Sequence, residues 1–277
     1  MNEQQMIGMH AVLNGALISA AEATVPVTDR AVQYGFSTYE SIRVVGGHPV
    51  HLSDHLLRLQ KSCEGIGLVH PFSSAQIERW VGALIAADAI SDATIRIQLY
   101  GGDHPMLFIL ASAMLTYPEQ YYRDGVGATT YRGERLIPSC KTGNLLLNYM
   151  ALADANRRGN FEALLVDRHG HILEGTRSNF FAFRDGVLYT ARDGEVLLGI
   201  TREQVIRAAA KLSIPVVYEA VQVEDLFAGL YDELFISATS MAAMPLSRVD
   251  GMSFLGSYRR TLAIKDLVRS WEMGEGQ

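Results

Sequence analysis

Hydrophobic positions in the first half of the chain recur with two different periods. In "HAVLNGALIS" two short apolar runs flank Asn14 and Gly15. That dipeptide enters the left-handed region easily, so a β-hairpin is expected. "YESIRVVGGHPV" repeats the plan around Gly46 and Gly47. The period then lengthens: Leu52, Leu56, Leu59 and Cys63 recur at helical spacing in a segment opened by the cap-type Ser53. "SSAQIERWVGALIAAD" reads as a second capped helix, and "TIRIQLY" and "MLFILASAML" return to strand-like runs. Residues 1–117 are therefore expected to form a small N-terminal α/β domain.

Pro118 and two glycines break the pattern in "YPEQYYRDGVG", which marks 118–125 as a linker. A larger C-terminal domain is expected over 126–277. It opens with a strand at "ATTY" and a helix across "LLNYMALADANRRG" that Gly159 closes. Strands follow at "EALLVD", "HILEG", "NFFAFRDG" and "VLYT", then a helix from Thr201 in "GITREQVIRAAAKL". Strands at "PVVYE" and "ELFISA" and a helix from Gly256 complete the pattern. The fold class is a mixed α/β (α+β) chain without internal repeats.

Composition narrows the function. Of 277 residues, 48% are hydrophobic and 19% charged, the balance of a globular protein. A net charge of −6 offers no basic field to gather nucleic-acid phosphates. Two cysteines, Cys63 and Cys140, make no disulfide framework and fit a reducing compartment. "MNEQQMIGMHAVLNG" lacks a basic start followed by an apolar core, and "WVGALIAADAI" is too short to cross a bilayer. A soluble cytoplasmic protein is the expectation.

Several chemistries find no support. There is no Walker loop, no G-x-G-x-x-G after a strand and no G-x-S-x-G elbow. His51 and His55 have i, i+4 spacing, but no acid or cysteine flanks them at ligand distance, so no metal site is expected. Lys141 is the unusual residue. The other lysines, Lys61, Lys211 and Lys265, fit the polar sides of amphipathic helices. Lys141 instead follows Pro138 and small residues and precedes a long apolar run in "IPSCKTGNLLLNYMAL". A lysine in low-dielectric surroundings loses its charge and becomes a nucleophilic amine.

Four other stretches are ordinary singly. Glu174 is a carboxylate in an apolar strand pattern, readable as a turn acid. Gly199 and Thr201 begin a helix, where free N–H groups suit either a phosphate or a plain threonine cap. Ala238, Thr239 and Ser240 are small groups after a buried strand, and Arg58 lies off the leucine stripe on a face with His55 and Ser62. Taken together they match the needs of pyridoxal 5′-phosphate: an amine for its aldehyde, an acid against its ring nitrogen and a cradle for its phosphate.

The ordered motifs "DRAVQYGFSTYESIR", "HLLRL", "CKTGNLLLNYMALADANRRG", "ILEGTRSNFF", "LLGITR" and "FISATSMAAMP" carry a resemblance. From about Leu13 to Leu267 the chain resembles the class IV, fold-type IV, pyridoxal-phosphate aminotransferases. These include branched-chain and D-amino-acid aminotransferases and 4-amino-4-deoxychorismate lyase. The resemblance implies two domains with the cofactor in the cleft between them, and a homodimer as the working form. It implies that Lys141 bonds the cofactor and moves the substrate proton, and that Glu174 pairs with the ring nitrogen. By the same likeness, Arg58, the backbone at Ile200 and Thr201, and Thr239 hold the phosphate, while Leu197 packs on the ring. Ala238 stands where relatives carry Gly or Ser, a change that leaves a backbone N–H contact intact. Tyr34, Tyr39 and Arg96 match substrate-facing positions; Arg43 either joins them or serves an ion pair beneath the site.

The implied activity is ping-pong transamination between an amino acid and a 2-oxo acid. Signals for the substrate are mixed. Arg96 in "TIRIQ" sits as in branched-chain enzymes, which nevertheless carry a tyrosine where this chain has Leu145. "KTGNLLLN" is closer to D-amino-acid enzymes, yet their Arg-x-His pair is replaced by "YGGDHPM", with His104 and no arginine. A branched-chain or related aliphatic donor is favoured, with a D-amino acid as the alternative. The lyase and an inactive binding or scaffold relative stand behind both, although a scaffold has no need of Lys141, Glu174 and Arg58.

Overall fold

The computed structural model describes residues 5–254 and 256–272. They divide into two compact units. The first runs to Leu115 and takes in Cys140–Asn144; the second comprises Thr116–Ser139 and the chain from Leu145 onward. Lys141 thus belongs with the first unit, although the domain division expected from sequence assigns it to 126–277. The outermost residues of the expected domains, 1–4 and 273–277, lie outside the described residues.

In the first unit, β1 (His10–Leu13) and β2 (Ala16–Ser19) form the hairpin expected at Asn14 and Gly15, whose φ angles are 50° and 92°. Positive φ at both turn residues matches the right-handed twist of the flanking strands. β3 (Ser37–Val45) and β4 (His48–Pro49) pair in the same way across Gly46 and Gly47. With β5 (Ala93–Tyr100) and β6 (Met106–Ser112) they make a six-stranded antiparallel sheet, ordered β2-β1-β6-β5-β3-β4.

Its helices are α1 (Arg30–Tyr34), α2 (Leu52–Gly65) and α3 (Ser74–Ala87). Ser73 and Gln76 cap α3 reciprocally. Helix α2 starts at Leu52 rather than after a Ser53 cap, because His51 takes the cap position at φ 52° without a side-chain cap bond. Strict alternation sends Ile42, Val44, Ile95, Ile97 and Leu99 toward Leu56 and Leu59 of α2 and Val81 and Leu84 of α3. Each such side chain contributes about 1.5–3 kcal/mol on burial, which fixes the register of both strands. The opposite face is thereby left to Tyr39, Ser41, Arg43, Arg96 and Gln98.

The second unit begins at the segment expected as a linker, 118–125, which holds a short helix: Pro118 precedes α4 (Glu119–Asp124), Gly125 ends it at φ 70°, and Tyr122 is buried. A proline is compatible with the start of a helix, so this pair brackets an element rather than a gap. Then come β7 (Val126–Arg132), α5 (Leu146–Arg157), β8 (Glu162–Val166), β9 (His171–Gly175), β10 (Asn179–Arg184) and β11 (Val187–Thr190). Next are α6 (Ile200–Lys211), β12 (Val216–Tyr218), β13 (Val221–Gln222), α7 (Val223–Phe227), β14 (Glu233–Ala238), β15 (Ala242–Val249), β16 (Met252–Ser253) and α8 (Arg259–Glu272).

The main path is β12-β11-β10-β14-β15-β7-β8-β9-β13, and β9 pairs back with β10 at Glu174 and Asn179. Strands β10 and β14 are buried on both faces. Phe181, Phe183 and Phe235 pack on one side with Val205 of α6 and Ile264 of α8; Phe180, Leu234 and Ile236 pack on the other with Met244 and Leu246. That is why "NFFAFR" and "ELFISA" read as continuous apolar runs.

Candidate active site

Three contacts build Lys141 into the first unit. The Tyr39 N–H donates to the Lys141 carbonyl at 3.0 Å, the Gly143 N–H to the Ser37 carbonyl at 2.8 Å, and the Lys141 N–H to Ser62 Oγ at 2.9 Å. Residues 141–143 therefore run beside the start of β3, with Thr38 and Thr142 paired across. Gly143 permits this approach, since a Cβ there would collide with Ser37 Oγ. The Lys141 amine lies 4.6 Å from the centre of the Tyr39 ring, and the Arg96 guanidinium carbon lies 4.2 Å from the same centre. Arg96 donates to Gln98 Oε1 from Nη2 at 2.9 Å and from Nε at 3.2 Å. The amide holds the guanidinium without neutralising it, so its charge stays available to a carboxylate.

Arg58 belongs to a second network. Glu40 shares the inward phase of β3 with Ile42 and Val44 and is fully buried. Arg58 grips it bidentately, Nε to Oε1 at 2.8 Å and Nη2 to Oε2 at 2.7 Å, and His55 Nδ1 lies 2.7 Å from Oε2. Burial pushes the Glu40 carboxyl up, but the charge and hydrogen bonds of Arg58 and the His55 contact outweigh it and hold the pKa at about 2. Burial lowers the pKa of His55, against the opposing pull of Glu40. Arg58 is thus a braced residue, not part of a solvated helix face.

In the second unit Glu174 is the last residue but one of β9, with its side chain 7% exposed. Its Oε1 accepts from Arg135 Nη1 at 3.3 Å and its Oε2 from the Leu197 N–H at 3.2 Å. The Leu197 carbonyl accepts from Asn179 Nδ2 at 2.8 Å, so the backbone of one residue, Leu197, joins the acid to the first residue of β10. Glu162, fully buried, holds the Ser178 hydroxyl at 3.0 Å and the Thr176 N–H at 3.2 Å, fixing the turn after Glu174.

The same unit holds a helix start that could receive an anion. Gly199 caps α6 without a side-chain cap bond, so the first N–H groups of this twelve-residue helix, at Ile200 and Thr201, are not taken by a cap. They carry the positive end of the helix dipole. A Cβ at Gly199 would strike Asn179 Oδ1, so glycine alone allows the tight approach. Thr201 is buried; Ala238, Thr239 and Ser240 are half-buried in the turn between β14 and β15.

The family model for "Amino-transferase class IV" matches residues 37–249. The chain belongs to the class IV aminotransferases. This aminotransferase is 31% identical to the D-alanine aminotransferase of Listeria monocytogenes over 259 residues, 88% of this chain and 89% of that one. It is 32% identical over 260 residues to a putative branched-chain-amino-acid aminotransferase of Methanocaldococcus jannaschii, covering 88% of both. Among solved structures it resembles the branched-chain aminotransferase of Thermoproteus uzoniensis with norvaline, at 28% identity and a TM-score of 0.89. That match covers 98% of this chain and 96% of the other. The fold is the one the resemblance implied.

Not every expected site residue of the aminotransferase joins these groups. Tyr39, Arg96 and Lys141 share one cluster, while Glu174, Leu197, Ile200 and Thr201 are linked in another through Asn179 and Gly199. Tyr34 ends α1 with 76% exposure and lies 5.7 Å from the Arg30 guanidinium. Arg43 is half-buried on the face of β3 shared with Tyr39. His104 is exposed in the loop between β5 and β6. Sequence reasoning missed Glu40, Gln98, Arg135 and Asn179. Only Glu40 carried a usable signal, a charge in phase with the buried side of an alternating strand.

Proposed function

We propose that this class IV aminotransferase uses pyridoxal 5′-phosphate to pass the amino group of an aliphatic, branched-chain or related, amino acid to a 2-oxo acid. The observation that carries the reading is Lys141: an amine seated by backbone pairing and by Ser62, on an aromatic ring that also holds an arginine. The donor chemistry fits the cofactor. It comprises an amine at Lys141, a nearly buried carboxylate at Glu174, and a helix start at Gly199 that a Cβ would obstruct.

In this reading Lys141 bonds the aldehyde and Glu174 keeps a proton on the ring nitrogen, with Leu197 against the ring. Arg58, the Ile200 and Thr201 N–H groups, Ala238 and Thr239 hold the phosphate. When bound, the cofactor supplies an electron-withdrawing ring that weakens the substrate Cα–H bond. Lys141 Nζ, once released, takes that proton as general base. Arg96 receives a substrate carboxylate, its guanidinium held by a neutral amide rather than neutralised by an acid. Tyr39, with Tyr34 and Arg43 as further candidates, lines the substrate side. A homodimer working in the cytoplasm is the assembly and location proposed; among the described residues no helix is long and apolar enough to cross a membrane.

A D-amino-acid donor is the second reading, favoured by the 31% identity to a D-alanine aminotransferase. The purified protein, loaded with cofactor and desalted, is scanned in the visible while mixed with L-leucine, D-alanine or L-glutamate. Loss of the yellow band with L-leucine supports the aliphatic L-donor; loss only with D-alanine replaces it. Absence of any retained band removes Lys141 from its role as the cofactor's amine, and Lys141→Ala must abolish turnover while keeping the fold.

A further inference from the structure

The turn between β14 and β15 is held from outside by side chains that bond its carbonyls. The Ser240 carbonyl accepts from Arg269 Nη2 at 2.8 Å and the Thr239 carbonyl from Arg269 Nη1 at 3.3 Å. The next carbonyl, of Met241, accepts from the Tyr122 hydroxyl at 3.2 Å. Arg269 is itself seated by Glu272, whose carboxylate oxygens lie 2.6 and 2.9 Å from Nη1. Within the turn the Met241 N–H returns to the Ala238 carbonyl at 3.0 Å, and Ala242 takes φ 57°. An alanine adopts that left-handed state only at a cost, so the turn is a conformation its surroundings impose.

A trans peptide points its C=O and N–H in opposite directions. Fixing the Thr239 carbonyl on Arg269 therefore turns the Ser240 N–H away from α8. Fixing the Ser240 and Met241 carbonyls leaves the next two peptide planes equally little freedom. A guanidinium suits this task because its planar fork reaches neighbouring acceptors at once, whereas an ammonium is a single point. Glu272 keeps the fork aimed.

We propose that Arg269, seated by Glu272, is a positioning residue that holds the Thr239–Ser240 backbone ready to receive the phosphate of the cofactor. This rests on the reading that Thr239 belongs to the phosphate cradle. It extends that cradle to the C-terminal helix, so that phosphate affinity is set from α8. The chemical class recognised is a phosphate monoester. The ring and the aldehyde of the same ligand are untouched by Arg269.

That division supplies the test. Full-length protein and its Arg269→Met and Arg269→Lys variants are dialysed to equilibrium against pyridoxal 5′-phosphate and, separately, against pyridoxal, which lacks the phosphate. Melting temperatures are recorded alongside. Arg269→Met is expected to lose about tenfold or more in affinity for the phosphate ester, the weight of charge-assisted hydrogen bonds to a backbone. Arg269→Lys, keeping the charge but not the fork, falls between; should the methionine variant fail to fold, the lysine variant carries the comparison. Affinity for pyridoxal stays that of the unmodified protein in either variant. Equal losses for both ligands mean a merely structural tie and overturn the proposal, as does an unchanged affinity for the phosphate ester. If the unmodified protein binds neither ligand, the cofactor reading fails first and the proposal falls with it.

Discussion

Glu174 owes its character to its neighbours. An acid in the apolar pattern "HILEG" is visible in sequence, but its partner Arg135 is 39 positions away and sits in the irregular run "GERLIP". Nothing local announces such a pair; only the return of the chain past β9 makes it. The same holds for Asn179 and Leu197, joined by one hydrogen bond across 18 positions. With its side chain 7% exposed and that of Arg135 10% exposed, the acid and the cation form a nearly buried pair. Arg135→Met is therefore expected to destabilise the fold by on the order of 3 kcal/mol, since a nearly buried carboxylate loses its cation. Urea unfolding of both proteins at neutral pH checks it. An unchanged midpoint would mean that the pair adds nothing to the stability of the fold.

At the level of elements, legibility followed chemistry with short range. The two hairpins of the first unit were readable because Asn14, Gly15, Gly46 and Gly47 must take positive φ. The helix ends at Ser73 and Gly159 were readable as a cap and a left-handed stop. Strand β15 was not: "AAMPLSRV" has two alanines and Pro245, which argue against a central strand. Pro245 is tolerated because it pairs with Phe235 of β14 while β7 joins only from Leu246. The packing of β3 on α2 also predicts an acid response. Glu40, held at about 2 against its ordinary 4.5, binds protons more weakly folded than unfolded, so its contribution is present above 4.5 and is lost as pH falls toward 2. His55 has a lowered pKa as well, and the unfolded chain gains its proton first, so stability already declines as pH drops through 6.5. Glu40→Gln should flatten the lower part of this decline and weaken the fold at neutral pH, where Arg58 loses its counter-charge. Urea midpoints measured from pH 7 to pH 3 for both proteins decide it. Parallel curves would sink the assignment.

At the scale of the whole molecule, the order of motifs was legible where the connectivity was not. Six stretches in the right succession pointed to one family, and the match over residues 37–249 agrees. Yet the strand order of the second sheet, with β7 between β15 and β8, follows from pairings that no local pattern encodes. The grouping of Cys140–Asn144 with the first unit is of the same kind, since it rests on hydrogen bonds to Ser37, Tyr39 and Ser62. A ligand that binds the folded chain and not the unfolded one must raise its stability by mass action. For pyridoxal 5′-phosphate at a hundredfold excess over its dissociation constant, the gain is about 2.7 kcal/mol. In a chain of this size that corresponds to a rise of roughly 5 °C in melting temperature. On the role proposed for Lys141, the variant Lys141→Ala keeps the proposed phosphate cradle but loses the bond to the aldehyde, so its rise at the same cofactor concentration should be smaller without vanishing. Thermal unfolding followed by circular dichroism over a cofactor titration gives both curves. Identical curves would mean that Lys141 adds nothing to cofactor affinity, whereas a flat curve for the unmodified protein would deny the cofactor itself.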